Sequence, residues 1–128
     1  MKFKKNDLLS LDKFIDESLY NKKFGYYIKN NPFGEKGDFI TSPTISILFS
    51  EMIAIWIISF WEKLNCPKQF NLIELGAGNG EMMKVLLDTF NKFPQFMNSC
   101  NIKILEKSNL LRKVQKKIIK NKNIRWLN

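Results

Sequence analysis

Phe70-Asn71-Leu72-Ile73-Glu74-Leu75-Gly76-Ala77-Gly78-Asn79-Gly80 runs directly into Glu81-Met82-Met83-Lys84-Val85-Leu86-Leu87-Asp88-Thr89-Phe90. The first six residues are a short apolar run beyond the breaker Pro67, which predicts a strand. Three glycines in five positions then predict a sharp turn whose backbone can approach a ligand with no Cβ in the way. Met82, Met83, Leu86 and Phe90 share one side of the next segment, so Glu81 to Phe90 reads as an amphipathic helix. Its N-terminus, with unpaired N–H groups and the positive end of the helix dipole, faces back onto the glycines.

The same alternation continues downstream. After a loop holding Pro94, Ile102 to Leu105 predicts a second strand that ends at Glu106. Ser108 is suited to cap a further helix, with Leu111, Val114 and Ile118 inward and Arg112, Lys113, Lys116, Lys117 and Lys120 on its solvated face. Ile124 to Asn128 looks like the start of a third strand. Strands separated by helices predict an α/β fold with a parallel sheet and crossover connections.

Upstream of Pro67 the pattern is helical. Ser10 to Tyr20 places Leu11, Phe14, Ile15 and Leu19 at helical spacing, with Ser10 as N-cap. Asn21 to Lys36 carries Gly25, Pro32, Gly34, Tyr26 and Tyr27 and reads as an ordered loop or short hairpin. Ser42 and Pro43 are suited to the N-cap and first position of an apolar helix running to about Leu64. Residues 1–66 are therefore expected to form a helical N-terminal cap, and residues 67–128 the first half of a ligand-binding α/β domain.

Composition excludes several chemistries. None of the 128 residues is His, which removes imidazole-based triads and every His-containing metal site. Two cysteines, Cys66 and Cys100, provide neither a disulfide framework nor a four-cysteine zinc site. The net charge of +9 comes from 19 Lys and only 2 Arg. Lys, Asn and Ile together make up 48 of the 128 residues, a bias expected of a low-GC genome. Selection for phosphate or base recognition would favour the bidentate guanidinium, so no specific nucleic-acid partner is expected. The basic start Met1 to Asp7 has no apolar segment of a secretory signal behind it. The unbroken apolar run Met52 to Trp61 is shorter than the roughly 20 residues a membrane span needs. A cytoplasmic protein is expected, with its apolar helix in a soluble core.

Glu74 stands two residues before the first glycine of a Gly-x-Gly-x-Gly turn. Dinucleotide enzymes instead carry Gly-x-Gly-x-x-Gly, which receives a pyrophosphate. A carboxylate beside the turn would repel phosphate and suits a cationic amine or sulfonium, the chemistry of S-adenosyl-L-methionine. Glu106, thirty residues after Gly76, is the sole acid after Asp88 and stands where a carboxylate can accept bonds from ribose hydroxyls.

From Leu8 to Trp126 the chain resembles the N-terminal part of the MidA family of S-adenosylmethionine-dependent methyltransferases, related to the mitochondrial complex I assembly arginine methyltransferase. The resemblance is carried by Gly25-Tyr26-Tyr27, Phe33-Gly34, Gly37-Asp38-Phe39-Ile40-Thr41-Ser42-Pro43, Phe49 to Ala54, Ile73 to Gly80, Leu105-Glu106-Lys107-Ser108, Leu111, Gln115 and Trp126. Departures are Ser50, Ala77 and Glu81, where family members usually carry Gly, Pro and Thr or Ser. The resemblance implies a truncated Rossmann-like class I methyltransferase fold, comprising the first two strands and the start of a third, with the helical cap. It also implies a protein substrate, with arginine as the acceptor and a respiratory complex I subunit as one candidate. The mitochondrial matrix is the expected compartment if the source is eukaryotic. Gly76, Ala77, Gly78 and Gly80 are expected to shape the pocket for the methionine end, with Glu74 holding the amino-acid group and Glu106 the ribose. Asp38, Thr41 and Ser42 would close over the cofactor from the cap.

Relatives are longer, so the chain is expected to be an N-terminal portion with little turnover by itself and with its catalytic residues beyond Asn128. A non-catalytic binding or assembly module that retains the cofactor-binding half of the fold is the alternative. In either case an unpaired sheet edge favours self-association.

Overall fold

A computed structural model describes residues 8–34, 37–121 and 123–127. The basic start (1–7), two residues of the expected loop (35 and 36) and the last residue of the expected third strand (128) are outside that set. Helix α1 (Leu11–Tyr20) is followed by the single turns α2 (Tyr26–Lys29) and α3 (Ser42–Ile45), then by the long α4 (Ile47–Lys63). Next come β1 (Phe70–Leu75), α5 (Glu81–Phe90), α6 (Pro94–Ser99), β2 (Cys100–Leu105), α7 (Asn109–Ile118) and β3 (Arg125–Leu127).

The strands form one parallel sheet in the order β1-β2-β3. Phe70 is opposite Cys100 and Leu75 opposite Leu105, so β1 and β2 end level with each other. Leu105 in turn is opposite Leu127 of β3. Within β2, Ile102 and Ile104 turn into the core while their neighbours do not, the period-two pattern of a strand. Among the described residues β1 pairs on one side only.

One apolar core joins α4, α5, α6 and the sheet. Phe96 is at its centre, 1% exposed, with its ring centroid 4.7 Å from Phe90, 5.4 Å from Phe70 and 5.5 Å from Trp61. Burial of a side chain of this size contributes about 1.5–3 kcal/mol. The helix that delivers Phe96 begins at Pro94 in the first turn, where the missing N–H leaves no bond unmade. The sequence assigned this segment to a loop, because six residues are too few to show a helical period. The boundary expected at 66/67 falls in the turn between α4 and β1, where Trp61 Nε1 donates to the Pro67 carbonyl at 3.0 Å. Asn65 and Cys66 both take positive φ in that turn.

Other upstream expectations need correction. The apolar helix does not start at Ser42; Ser46 is extended (φ −145°, ψ 120°) and separates α3 from α4. Serine favours this cap conformation, and its N–H closes the α3 turn on the Ser42 carbonyl. Ser42 is therefore the first residue of α3, with Thr41 in the capping position. Nor is α4 buried all round. Ser50, Ala54, Ile58 and Trp61 form a stripe that packs on α5, whereas Met52, Ile55, Trp56 and Phe60 are exposed. Leu11, Phe14 and Ile15, whose spacing predicted α1, are exposed as well. Within the ordered loop or short hairpin expected over 21–36, Tyr26–Lys29 form the helical turn α2. No helix among the described residues is long and apolar enough to cross a membrane.

Candidate functional site

β1 delivers Glu74 and Leu75 to the end of the sheet, and the Gly76 N–H caps the ladder on the Leu105 carbonyl at 2.9 Å. The turn that follows uses three left-handed glycines, with φ of 66° at Gly76, 55° at Gly78 and 87° at Gly80. Their surroundings differ. A Cβ on Gly76 would meet nothing within 4 Å, whereas one on Gly80 would stand 3.1 Å from Ile119 Cδ1 and 3.2 Å from Gln115 Cγ. Gly80 is thus required by packing against the α7 segment, and Gly76 borders open space.

That space is a hollow of about 170 Å³ lined by Phe33, Thr41, Pro43, Glu74, Gly76, Ala77, Gly78, Asn79 and Met82. Among the described lining residues Glu74 is the sole ionisable one. The Glu74 Oε2 atom is buried and accepts no hydrogen bond, an expensive condition for a carboxylate. Burial pushes the Glu74 carboxyl up to about 7. Among the described residues there are larger hollows, of about 670 Å³ beside Lys84, Asp88, Lys117 and Lys120, about 600 Å³ beside Asn71, Asn98, Asn101 and Arg125, and about 200 Å³ beside Ile58, Glu62, Lys92 and Phe96. Among the described residues, none of these hollows is lined by an unpartnered buried side-chain polar atom, which sets the small hollow apart as the candidate site.

The N-terminal segment reaches this hollow through a chain of rings. Tyr20 stacks on Tyr27 at 5.7 Å and Tyr27 on Phe33 at 6.2 Å. The Phe33 ring is 3.5 Å from where a Cβ on Gly78 would stand. The segment is pinned at the other end by the Ser108 hydroxyl, which donates to the Tyr27 carbonyl, and by Lys107, 2.9 Å from Asp16.

Of the expected site residues, the structure brings Glu74, Gly76, Ala77, Gly78 and Thr41 together around the hollow. Gly80, Ser42, Asp38 and Glu106 are not in its lining. Asp38 is exposed and accepts a hydrogen bond from the Tyr26 hydroxyl, which raises that phenol to about 12. Glu106 is 5% exposed, its Oε1 accepting from the Ser108 N–H at 2.8 Å and its Oε2 from Gln115 Nε2 at 3.0 Å. Sequence reasoning assigned no site role to Phe33, Pro43, Asn79 or Met82. Phe33 and Pro43 belong to the resembling stretches, and Met82 was read only as part of a core face.

Comparison with known proteins agrees with this architecture. The mitochondrial protein arginine methyltransferase NDUFAF7 of Xenopus laevis is 39% identical over 80% of this chain and 24% of its own length. The Drosophila melanogaster homolog is 44% identical over 64% and 19%. The human protein is 36% identical over 89% and 26%. The chain thus spans about a quarter of the length of the curated relatives it matches. A Burkholderia thailandensis protein, crystallised with S-adenosyl-homocysteine, superposes over 94% of this chain and 33% of its own at a TM-score of 0.75 and 23% identity. That likeness shows a shared fold, the Rossmann-like α/β fold of class I methyltransferases. Residues 52–128, more than half of the chain, match the family described as "Putative S-adenosyl-L-methionine-dependent methyltransferase", and the chain belongs to that family.

Proposed function

We propose that this chain binds S-adenosyl-L-methionine at the end of β1 and serves a methyltransferase whose acceptor is an arginine of a protein. The observation that carries the cofactor assignment is the buried Glu74 Oε2, without a hydrogen-bond partner among the described residues, on a side chain that lines the hollow beside the glycine turn. A cationic amine is the partner such a group lacks. The hollow is smaller than the roughly 300–1,000 Å³ of a pocket for a whole drug-sized ligand, so it fits one end of the cofactor, the amino-acid end. Gly76 and Gly78 let the backbone come close, and Thr41 and Phe33 close the side toward the N-terminal segment. Glu106 is the candidate for the ribose hydroxyls, since each of its oxygens accepts one bond and keeps a lone pair. Asp38 and Ser42 would contribute through the segment that places Thr41.

When bound, the cofactor supplies an electrophilic methyl on a sulfonium, which needs alignment with its acceptor more than acid–base help. The chain's own part is therefore binding and orientation. The protein arginine acceptor is supported by the names of the relatives, and a respiratory complex I subunit by the sequence resemblance alone. The compartment that fits both is the mitochondrial matrix in a eukaryote or the cytoplasm in a bacterium.

Calorimetric titration with S-adenosyl-homocysteine tests the assignment. The unaltered chain should bind, and Glu74→Gln should weaken binding at least tenfold at pH 8. No binding by the unaltered chain, or equal binding by the variant, would overturn it.

A further inference from the structure

Gln115 is an amide with no exposed surface on a helix whose outer face is lysine-rich. Its Nε2 donates to the Gly78 carbonyl at 2.9 Å and to Glu106 Oε2 at 3.0 Å. Its Oε1 accepts the indole N–H of Trp126 at 3.0 Å. Three separate elements meet on one side chain: the glycine turn after β1, the carboxylate after β2, and β3. A carboxamide is the group that satisfies all three, because two partners are acceptors and the third is a donor. Methionine would leave the three partners without a bond, and glutamate would set a second carboxylate against Glu106. The absence of a Cβ on Gly80 is what admits Gln115, whose Cγ comes within 3.2 Å of that position.

We propose that Gln115 is a positioning residue, which fixes the Gly78 peptide and the Glu106 carboxylate relative to each other and so holds the amino-acid end and the ribose end of the cofactor site in register. The proposal rests on the assignment of this end of the sheet to S-adenosyl-L-methionine. Because the peptide is planar, holding the Gly78 carbonyl toward α7 also turns the Asn79 N–H the opposite way. Glu106 gains a fixed direction from the same amide, with Ser108 N–H holding its other oxygen. Neither contact requires Gln115 to touch the ligand.

Gln115→Met and Gln115→Glu are titrated with S-adenosyl-homocysteine beside the unaltered chain, with the Trp126 indole N–H followed by NMR. For Gln115→Met, the indole signal should move, the helical circular dichroism should stay, and affinity should fall at least tenfold. For Gln115→Glu, affinity relative to the unaltered chain at the same pH should fall at least tenfold further at pH 8 than at pH 5.5. The two neighbouring acids share a proton at the lower pH and repel when both are ionised. Taking the ratio at each pH cancels the titration of Glu74, and unchanged circular dichroism of Gln115→Glu at both pH values separates the loss of binding from a loss of folding. Binding by Gln115→Met within twofold of the unaltered chain, with the indole signal moved, would overturn the proposal while leaving the cofactor assignment standing. If Gln115→Met fails to fold, a flat ratio for Gln115→Glu overturns it instead. Absence of binding by the unaltered chain would defeat both.

Discussion

Glu74 is held at a cost the fold need not bear for stability. Its carboxyl rises from 4.5 to about 7 because burial penalises the ion. Below pH 4.5 the folded and unfolded chains hold this proton equally. Between 4.5 and 7 the folded chain holds more protons, so stability falls as pH rises, and the full loss is present above 7. At 1.36 kcal/mol per pKa unit the loss is about 3 kcal/mol. A neutral amide avoids the ionic part and keeps its own desolvation, so Glu74→Gln should gain about 2 kcal/mol at pH 8 and nothing at pH 4, measured by urea unfolding. If Glu74 holds the ligand's amine as proposed, binding needs the ionised form, so the affinity of the unaltered chain should rise up to tenfold per pH unit toward 7 and level off above it. Proton release on binding at pH 6, read from calorimetry in buffers of different ionisation enthalpy, checks the same sign. A variant that gains stability while losing ligand marks a residue kept for function.

At the level of elements, the glycine turn separates two roles that look alike in the sequence. Gly76→Ala meets open space, so only the left-handed φ opposes it, at about 1–2 kcal/mol; its methyl would border the hollow and weaken ligand binding. Gly80→Ala adds contacts of 3.1 and 3.2 Å to the same backbone strain, and should destabilise by about 2–4 kcal/mol. Thermal melts and titrations on both variants should show Gly80→Ala as the less stable and Gly76→Ala as the weaker binder relative to its stability. The strand, turn and helix from Phe70 to Phe90 were legible because apolar period and glycine spacing act locally there. So was the cap of α7, where Ser108 Oγ accepts the Leu111 N–H at 3.3 Å. The break at Ser46 was not legible, since the apolar run continues through it from Ile45 to Ile47. Gln115 stood out only as one of the residues that carry the family resemblance, and its three partners are 37, 9 and 11 residues away and meet only through the sheet order. Glu106 was legible as a strand-end acid. Its burial was not, because it depends on Ser108 and Gln115 folding over it.

Across the whole molecule, the apolar residues exceed what the described elements cover. Ile47, Leu48, Met52 and Trp56 of α4 are each 60% or more exposed, and Trp56 stacks on Phe60 with no further layer over them among the described residues. Leu75 is 72% exposed on β1, whose second edge is unpaired among the described residues. Apolar surface of this kind drives association, whereas a net charge of +9 opposes it by repulsion between copies. Salt separates the two effects, because about 0.1 M screens the repulsion beyond roughly 10 Å and leaves apolar burial intact. In sedimentation velocity the chain should therefore show a weight-average mass above 15.1 kDa that rises with protein concentration and rises further with salt. Trp56→Lys should return it toward the monomer mass with unchanged circular dichroism. A mass that falls with added salt would assign association to ion pairs instead, and a monomer at every concentration would show that charge repulsion outweighs the exposed α4 face.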